Sequence, residues 1–169
     1  MRTIDQIIIH CSFSAWGDLT AIDQWHKARN FPAYKDPTNN ISHYCGYHYL
    51  VYGPYTRSSQ VDKPIQSVTD GKLVIARSEE TTGAHCSGAN YRSLGICYIG
   101  FTPTPLQFET LVSLSTDLLL RYNIDIDTGL LGHTEHYSRS GMPIKKTCPN
   151  FNMDAFRSAV DCRLNIKLR

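Results

Sequence analysis

The pattern between Thr104 and Tyr122 leaves this chain the least freedom. Thr104 offers a hydroxyl to cap a helix, Pro105 opens it with a preset φ, and Gln107 stands where the reciprocal half of a capping box belongs. Leu111, Leu114, Leu118 and Tyr122 then recur at helical spacing, with Val112 and Leu119 widening the stripe. An apolar face of that width needs a second layer to cover it. Short apolar runs supply one. Residues 4–10 read as a buried, β-branched strand, and residues 46–52 as an aromatic strand. Residues 72–76, behind the Asp70-Gly71 turn, residues 94–99 and residues 129–133 read as further strands. Thr20 and Asp23 resemble a capping box for a helix continued by Ile22, Trp25 and Ala28. A last helix spans residues 153–163, capped by Asn152, with Phe156, Val160 and Leu164 on one face. Strands and helices interleave, so the expected fold is α/β: a single domain over residues 1–169, with a central mixed β-sheet flanked by helices.

Composition narrows the function classes. A net charge of +2 over 169 residues does not supply the clustered basic face that a nucleic-acid partner requires. No stretch approaches the length needed to span a bilayer, so stable membrane insertion is not expected. The apolar run near the N-terminus is short, carries Asp5 and lacks a cleavage site, which predicts synthesis in the cytoplasm without a signal peptide. The six cysteines, in a chain of that expected origin and size, are read as thiols rather than as a disulfide framework. A monomer is the expected state.

Chemistry concentrates at two distant places. His10 closes the run Ile7-Ile8-Ile9, while Gly132-His133-Thr134-Glu135-His136 and Lys145-Lys146-Thr147-Cys148-Pro149 lie near the other end. Two histidines and a cysteine from three segments suit an open zinc site, because zinc accepts imidazole nitrogen and thiolate sulfur and a catalytic site keeps three protein ligands. The other reading makes His10 a satisfied strand-end histidine and Cys148 a small buried hydrophobe; spacing alone does not separate the two. Tyr47 and Tyr49 alternate with His48 along a strand and are expected on one face. His26, beside Trp25, reads as a packing residue, and His136 competes as a ligand only if its segment is helical.

Taken in order, Ile8-Ile9-His10-Cys11-Ser12, Trp25-His26, Gly46-Tyr47-His48-Tyr49, Gly83-Ala84-His85 with Asn90, Ser93-Leu94-Gly95-Ile96, Gly132-His133 and Lys146-Thr147-Cys148-Pro149 resemble the zinc-dependent N-acetylmuramoyl-L-alanine amidases. That family includes phage lysozyme-type amidases and the animal peptidoglycan recognition proteins. The resemblance spans residues 4–157. It implies zinc ligands at His10, His133 and Cys148, a catalytic tyrosine at Tyr47, a catalytic lysine at Lys146, and a substrate groove bordered by the segments of His85 and Asn90. It also implies peptidoglycan as the partner and hydrolysis of the amide joining N-acetylmuramic acid to L-alanine of the stem peptide. Zinc would polarise that carbonyl and lower the pKa of water from about 16 to about 7, while an ammonium or phenol beside it steadies the oxyanion.

One departure bears on the subtype. Some intracellular recycling members carry a glutamate near the end of the Ser-Ile-Gly-Ile strand; here that position is Cys97, and no carboxylate follows before Phe101. The resemblance therefore implies a phage or prophage endolysin, which without an export signal would reach the wall through a holin-type pore or another release route. A non-catalytic peptidoglycan-binding protein and a secreted antibacterial effector are the alternatives. The loop over residues 53–70 and the spacer over residues 136–144 are longer than the family minimum and are expected to border the groove.

Overall fold

The computed structural model describes residues 2–36, 40–64, 68–144 and 147–167. β1 (Gln6–Cys11) comes first among the strands in the sequence and is one of the innermost in space. It pairs in parallel with β6 (Ser93–Tyr98) on one side and with β7 (Leu130–Gly132) on the other. β4 (Tyr49–Val51) continues the sheet in parallel beyond β6, and β5 (Leu73–Ile75) closes that edge antiparallel to β4. The order is β5-β4-β6-β1-β7, a mixed sheet as the interleaved pattern predicts. β2 (Tyr34–Lys35) and β3 (Ser42–His43) form a separate small antiparallel ribbon outside this sheet.

Two helices cover one face. α2 (Pro105–Tyr122) is capped as expected: Thr104 Oγ1 accepts the Gln107 N–H at 3.1 Å and Gln107 Oε1 accepts the Thr104 N–H at 3.0 Å. α5 (Met153–Lys167) starts at Asn152, whose Oδ1 accepts the Ala155 N–H, and runs about a turn further than residue 163. Leu111, Leu118, Phe156 and Val160 pack there against Ile7, Ile9, Leu94, Ile96 and Leu130. Burying each such side chain contributes about 1.5–3 kcal/mol.

The opposite face is divided. α1 (Leu19–Ala28) covers Leu50, Tyr52, Cys97 and Ile99 with Ile22 and Trp25. A second group, Ile8, Cys86, Ala89 and Leu131, packs under the segment that leads into β6, joined by Tyr137 of α4 (His133–Arg139). His10 lies on this face with Ile8, one residue pair along the strand. α3 (Ile126–Gly129), a single turn capped by Asp125, enters β7. Among the described residues no helix is long and apolar enough to cross a membrane. No disulfide joins the six cysteines.

Two local expectations are corrected. The cap of α1 is Asp18, whose carboxylate accepts the Ala21 N–H at 2.8 Å; Thr20 lies inside the helix. Asp23 instead accepts the N–H groups of Tyr44 and Cys45, at 2.5 and 2.8 Å. The aromatic strand is shorter than 46–52, and its alternation breaks at His48. His48 donates its N–H to the Gly95 carbonyl and accepts the Gly95 N–H on Nδ1, so a side chain replaces a ladder bond. Tyr47 consequently packs on the α1 side with Leu50, while Tyr49 packs with Val51 on the other face.

Candidate metal centre

Among the described residues, His10, His133 and Cys148 form a group of ligand-type side chains whose donor atoms all lie within 4.8 Å of one another. Three elements deliver them. β1 brings His10 to its C-terminal end, and β7, its parallel neighbour, hands over to His133 at the first residue of α4. Cys148 stands in the segment before α5, fixed by two hydrogen bonds: its N–H donates to Thr134 Oγ1 and its carbonyl accepts the Thr134 N–H, both at 2.9 Å. Ligand sites of parallel sheets lie at these carboxyl ends.

The turn that presents His133 is held by charge. The Gly132 N–H donates to Glu135 Oε2 at 2.9 Å, and Arg157 of α5 pairs with the same carboxylate at 2.8 Å. These donors hold the Glu135 carboxyl below the usual range although burial opposes them. Arg157 also donates to the Leu130 carbonyl, tying helix, strand and turn together. Glu135 is thus occupied with the ligand's backbone. The segment of His136 is helical, yet His136 faces Ser140 Oγ at 3.4 Å and stands outside the ligand group.

The rings around His10 are close. The centroid of His10 lies 4.5 Å from that of His133 and 5.1 Å from those of Tyr47 and His85. His10 Nδ1 is 3.9 Å from Cys148 Sγ, and His10 Nε2 is 3.1 Å from His85 Nδ1. Burial, with the Cys97 and Cys148 thiols nearby, pushes the Tyr47 phenol well above its ordinary range, so it carries its proton at neutral pH. Contact with the Cys11 thiol, 3.9 Å away, and burial push the Cys148 thiol up as well. Such a thiol ionises when a cation arrives to hold it.

The donor set fits zinc. Bonds of about 2.0–2.1 Å to imidazole nitrogen and about 2.3 Å to sulfur place tetrahedral ligand pairs roughly 3.3–3.6 Å apart, a contraction of about 1.5 Å at most from donor atoms that lie within 4.8 Å of one another. Two neutral rings and one thiolate leave a fourth position for water or substrate.

Other expected residues fall near this centre in different ways. His85 lines a groove of about 310 Å³ with Phe31, Pro32, Ala84 and Tyr137. Asn90 borders the same groove, but its Oδ1 accepts the N–H groups of His85 and Cys86, at 2.8 and 2.9 Å. A second groove, of about 420 Å³, runs along Thr147, Cys148, Pro149 and Phe151. Lys146 lies outside the described residues. The sequence reading does not find the contact of His85 with His10, the closeness of Cys11 to Cys148, or the Glu135–Arg157 clamp. Each joins residues far apart in the chain and leaves no local pattern.

Comparison with known proteins agrees with this architecture. The endolysin of Escherichia phage T7 is 26% identical over 164 residues, covering 90% of this chain and 84% of that protein. Among solved structures, the N-acetylmuramoyl-L-alanine amidase LysC from Clostridium intestinale superposes with a TM-score of 0.67 at 23% identity, covering 95% of this chain and 87% of that one. The Drosophila peptidoglycan recognition protein SA shares the fold with a TM-score of 0.59 at 17% identity, covering 88% and 74%. The sequence pattern of the family described as N-acetylmuramoyl-L-alanine amidase (Amidase_2) matches residues 1–151. That span holds both histidines and the cysteine of the centre, and the chain belongs to the N-acetylmuramoyl-L-alanine amidase family.

Proposed function

We propose that this amidase is a zinc-dependent endolysin that cleaves the bond between N-acetylmuramic acid and L-alanine in peptidoglycan. The observation that carries the reading is the meeting of His10, His133 and Cys148 at the ends of two adjacent parallel strands. Bound there, zinc supplies a Lewis acid and a water acidified to a pKa of about 7. His10, His133 and Cys148 hold the ion. The protonated Tyr47 phenol, beside His10, donates a hydrogen bond to the oxygen that gains charge as the amide carbon becomes tetrahedral. Lys146, two residues before Cys148, supplies a second donor. The groove walls at His85 and Asn90 border the muramyl peptide, and the segments over residues 53–70 and 136–144 modulate stem-peptide preference. The protein acts as a monomer after release from the cytoplasm; the endolysin relative supports action on the wall.

The test is incubation of purified peptidoglycan with the zinc-loaded protein, followed by mass analysis of the soluble products. Stem peptides with a free L-alanine amino end support the assignment, and chelation should abolish their release. Release of reducing sugar without free amino ends would overturn it.

A further inference from the structure

We propose that His85 is a positioning residue which, with Ser93, holds His10 as its Nε2–H tautomer and so turns the His10 Nδ1 lone pair toward Cys148. The inference deepens the zinc reading, on which its consequence for metal affinity rests. It follows from counting protons along a buried chain of hydrogen bonds. Ser93 Oγ lies 2.8 Å from the Ala89 carbonyl, which can only accept, so the single hydroxyl proton is committed there. Ser93 Oγ also faces His85 Nε2 at 3.4 Å, and toward that ring it can only accept. His85 therefore carries its proton on Nε2. A ring this buried is neutral, with one N–H, so its Nδ1 accepts. His10 Nε2, 3.1 Å from that Nδ1, must then be the donor. What remains on His10 is the Nδ1 lone pair, 3.9 Å from Cys148 Sγ.

The fold keeps the His85 ring where this chain needs it. A Cβ added at Gly95 would sit 2.5 Å from His85 Cγ, and one at Gly83 would sit 2.5 Å from His85 Cδ2. The ring is wedged between these two glycines, one of them in β6 beside β1. Asn90 fixes the backbone beneath it by accepting the His85 and Cys86 N–H groups. Histidine ligands with the second ring nitrogen anchored in this way are oriented and more basic, and losing the anchor costs roughly 10–100-fold in metal affinity.

Two measurements test the assignment. Long-range proton–nitrogen NMR of the zinc-free wild type should show His10 protonated on Nε2; a proton on Nδ1 would overturn the proposal whatever the metal does. Zinc affinity by competition with a fluorescent chelator should fall about 10–100-fold in His85→Ala. His85→Asn, whose side-chain oxygen replaces the Nδ1 acceptor, should stay within about threefold of wild type. If His85→Ala binds zinc like the wild type and shows only a raised KM, His85 is a substrate contact and the proposal is wrong. Ser93→Ala removes the acceptor that orients His85 while leaving both rings, and it should give a mixture of His10 tautomers; an unchanged single tautomer would count against the chain of donors. A wild type that binds no zinc would remove the metal reading alone, since the tautomer is read without the ion.

Discussion

His26 Nδ1 accepts the backbone N–H of Gly46 at 2.9 Å, so a side chain of α1 sets the course of the segment that carries Tyr47. Asp23, one turn earlier, takes the N–H groups of Tyr44 and Cys45. Three successive amides are thus held by one helix before the chain reaches the phenol beside His10. The His26 ring is stacked on Phe31 at 4.1 Å between centroids and packs against Tyr47.

This arrangement makes stability depend on pH. Burial pulls His26 down to about 4, and His48, whose Nδ1 accepts the Gly95 N–H, down to about 4 as well. Both are depressed below the unfolded value of about 6.5, so the unfolded chain binds more protons between these limits. Their contribution is complete above pH 6.5 and is lost as the pH falls toward 4, at about 1.4 kcal/mol per pH unit for each histidine. Urea midpoints measured from pH 7 to pH 4 should fall steadily, and His26→Gln should flatten part of that slope. A midpoint independent of pH over this window would contradict the assignment.

Gln107 is a second structural pivot. Buried at the first turn of α2, its side-chain nitrogen donates to the carbonyls of Ile99 at 2.8 Å and Val51 at 3.2 Å, the ends of two neighbouring strands. Gln107→Ala leaves the Ile99 carbonyl short of a partner, while the Val51 carbonyl keeps the Ile99 N–H, and it removes half of the capping box. The expected cost is about 1–3 kcal/mol, read as a fall in the denaturant midpoint with an unchanged slope.

Zinc stoichiometry separates ligands from catalytic groups. Cys148→Ser should lose both bound metal and amidase activity. Tyr47→Phe and Lys146→Ala should keep one zinc per chain, measured by elemental analysis, while kcat falls by about 100–1000-fold. If Lys146→Ala retained full activity, the lysine would have no part in the reaction.

Glu135→Ala should uncouple the clamp behind His133. It frees the Gly132 N–H and leaves Arg157 with one carboxylate partner, Asp154, beside the Leu130 carbonyl. We expect a loss of stability of about 1–3 kcal/mol, with weaker zinc retention under chelator challenge. Unchanged zinc retention would show that the turn holds its shape without the carboxylate.

Much of this molecule is legible in its sequence because several signals are local. The Thr104–Gln107 box and the leucine stripe define α2 within a few residues, and apolar runs mark β1 and β6. The two histidines and the cysteine, which the structure brings together, are readable as a candidate metal set once the motifs between them fall into order. What escapes has physical reasons. Asp18 and Thr20 both resemble helix caps, and only the position of the preceding loop decides between them. Tyr47 sits on the unexpected face because the His48 ring takes a backbone bond that period-two alternation assumes will be made by the chain. α4 has no capping side chain at Gly132; Glu135 supplies that bond from inside the helix. Side-chain pairs such as His85 with His10 depend on the sheet being assembled.

The placement of β1 has a consequence for the timing of synthesis. β1 precedes both of its neighbours in the chain: it lies between β6 and β7, the latter ending at Gly132, and the third ligand-type side chain follows at residue 148. Early translation products therefore hold an orphan strand with no neighbour and no complete centre. A chain cut short before Cys148 would lack one of the three ligand-type side chains, so under the zinc reading it would hold no complete metal centre.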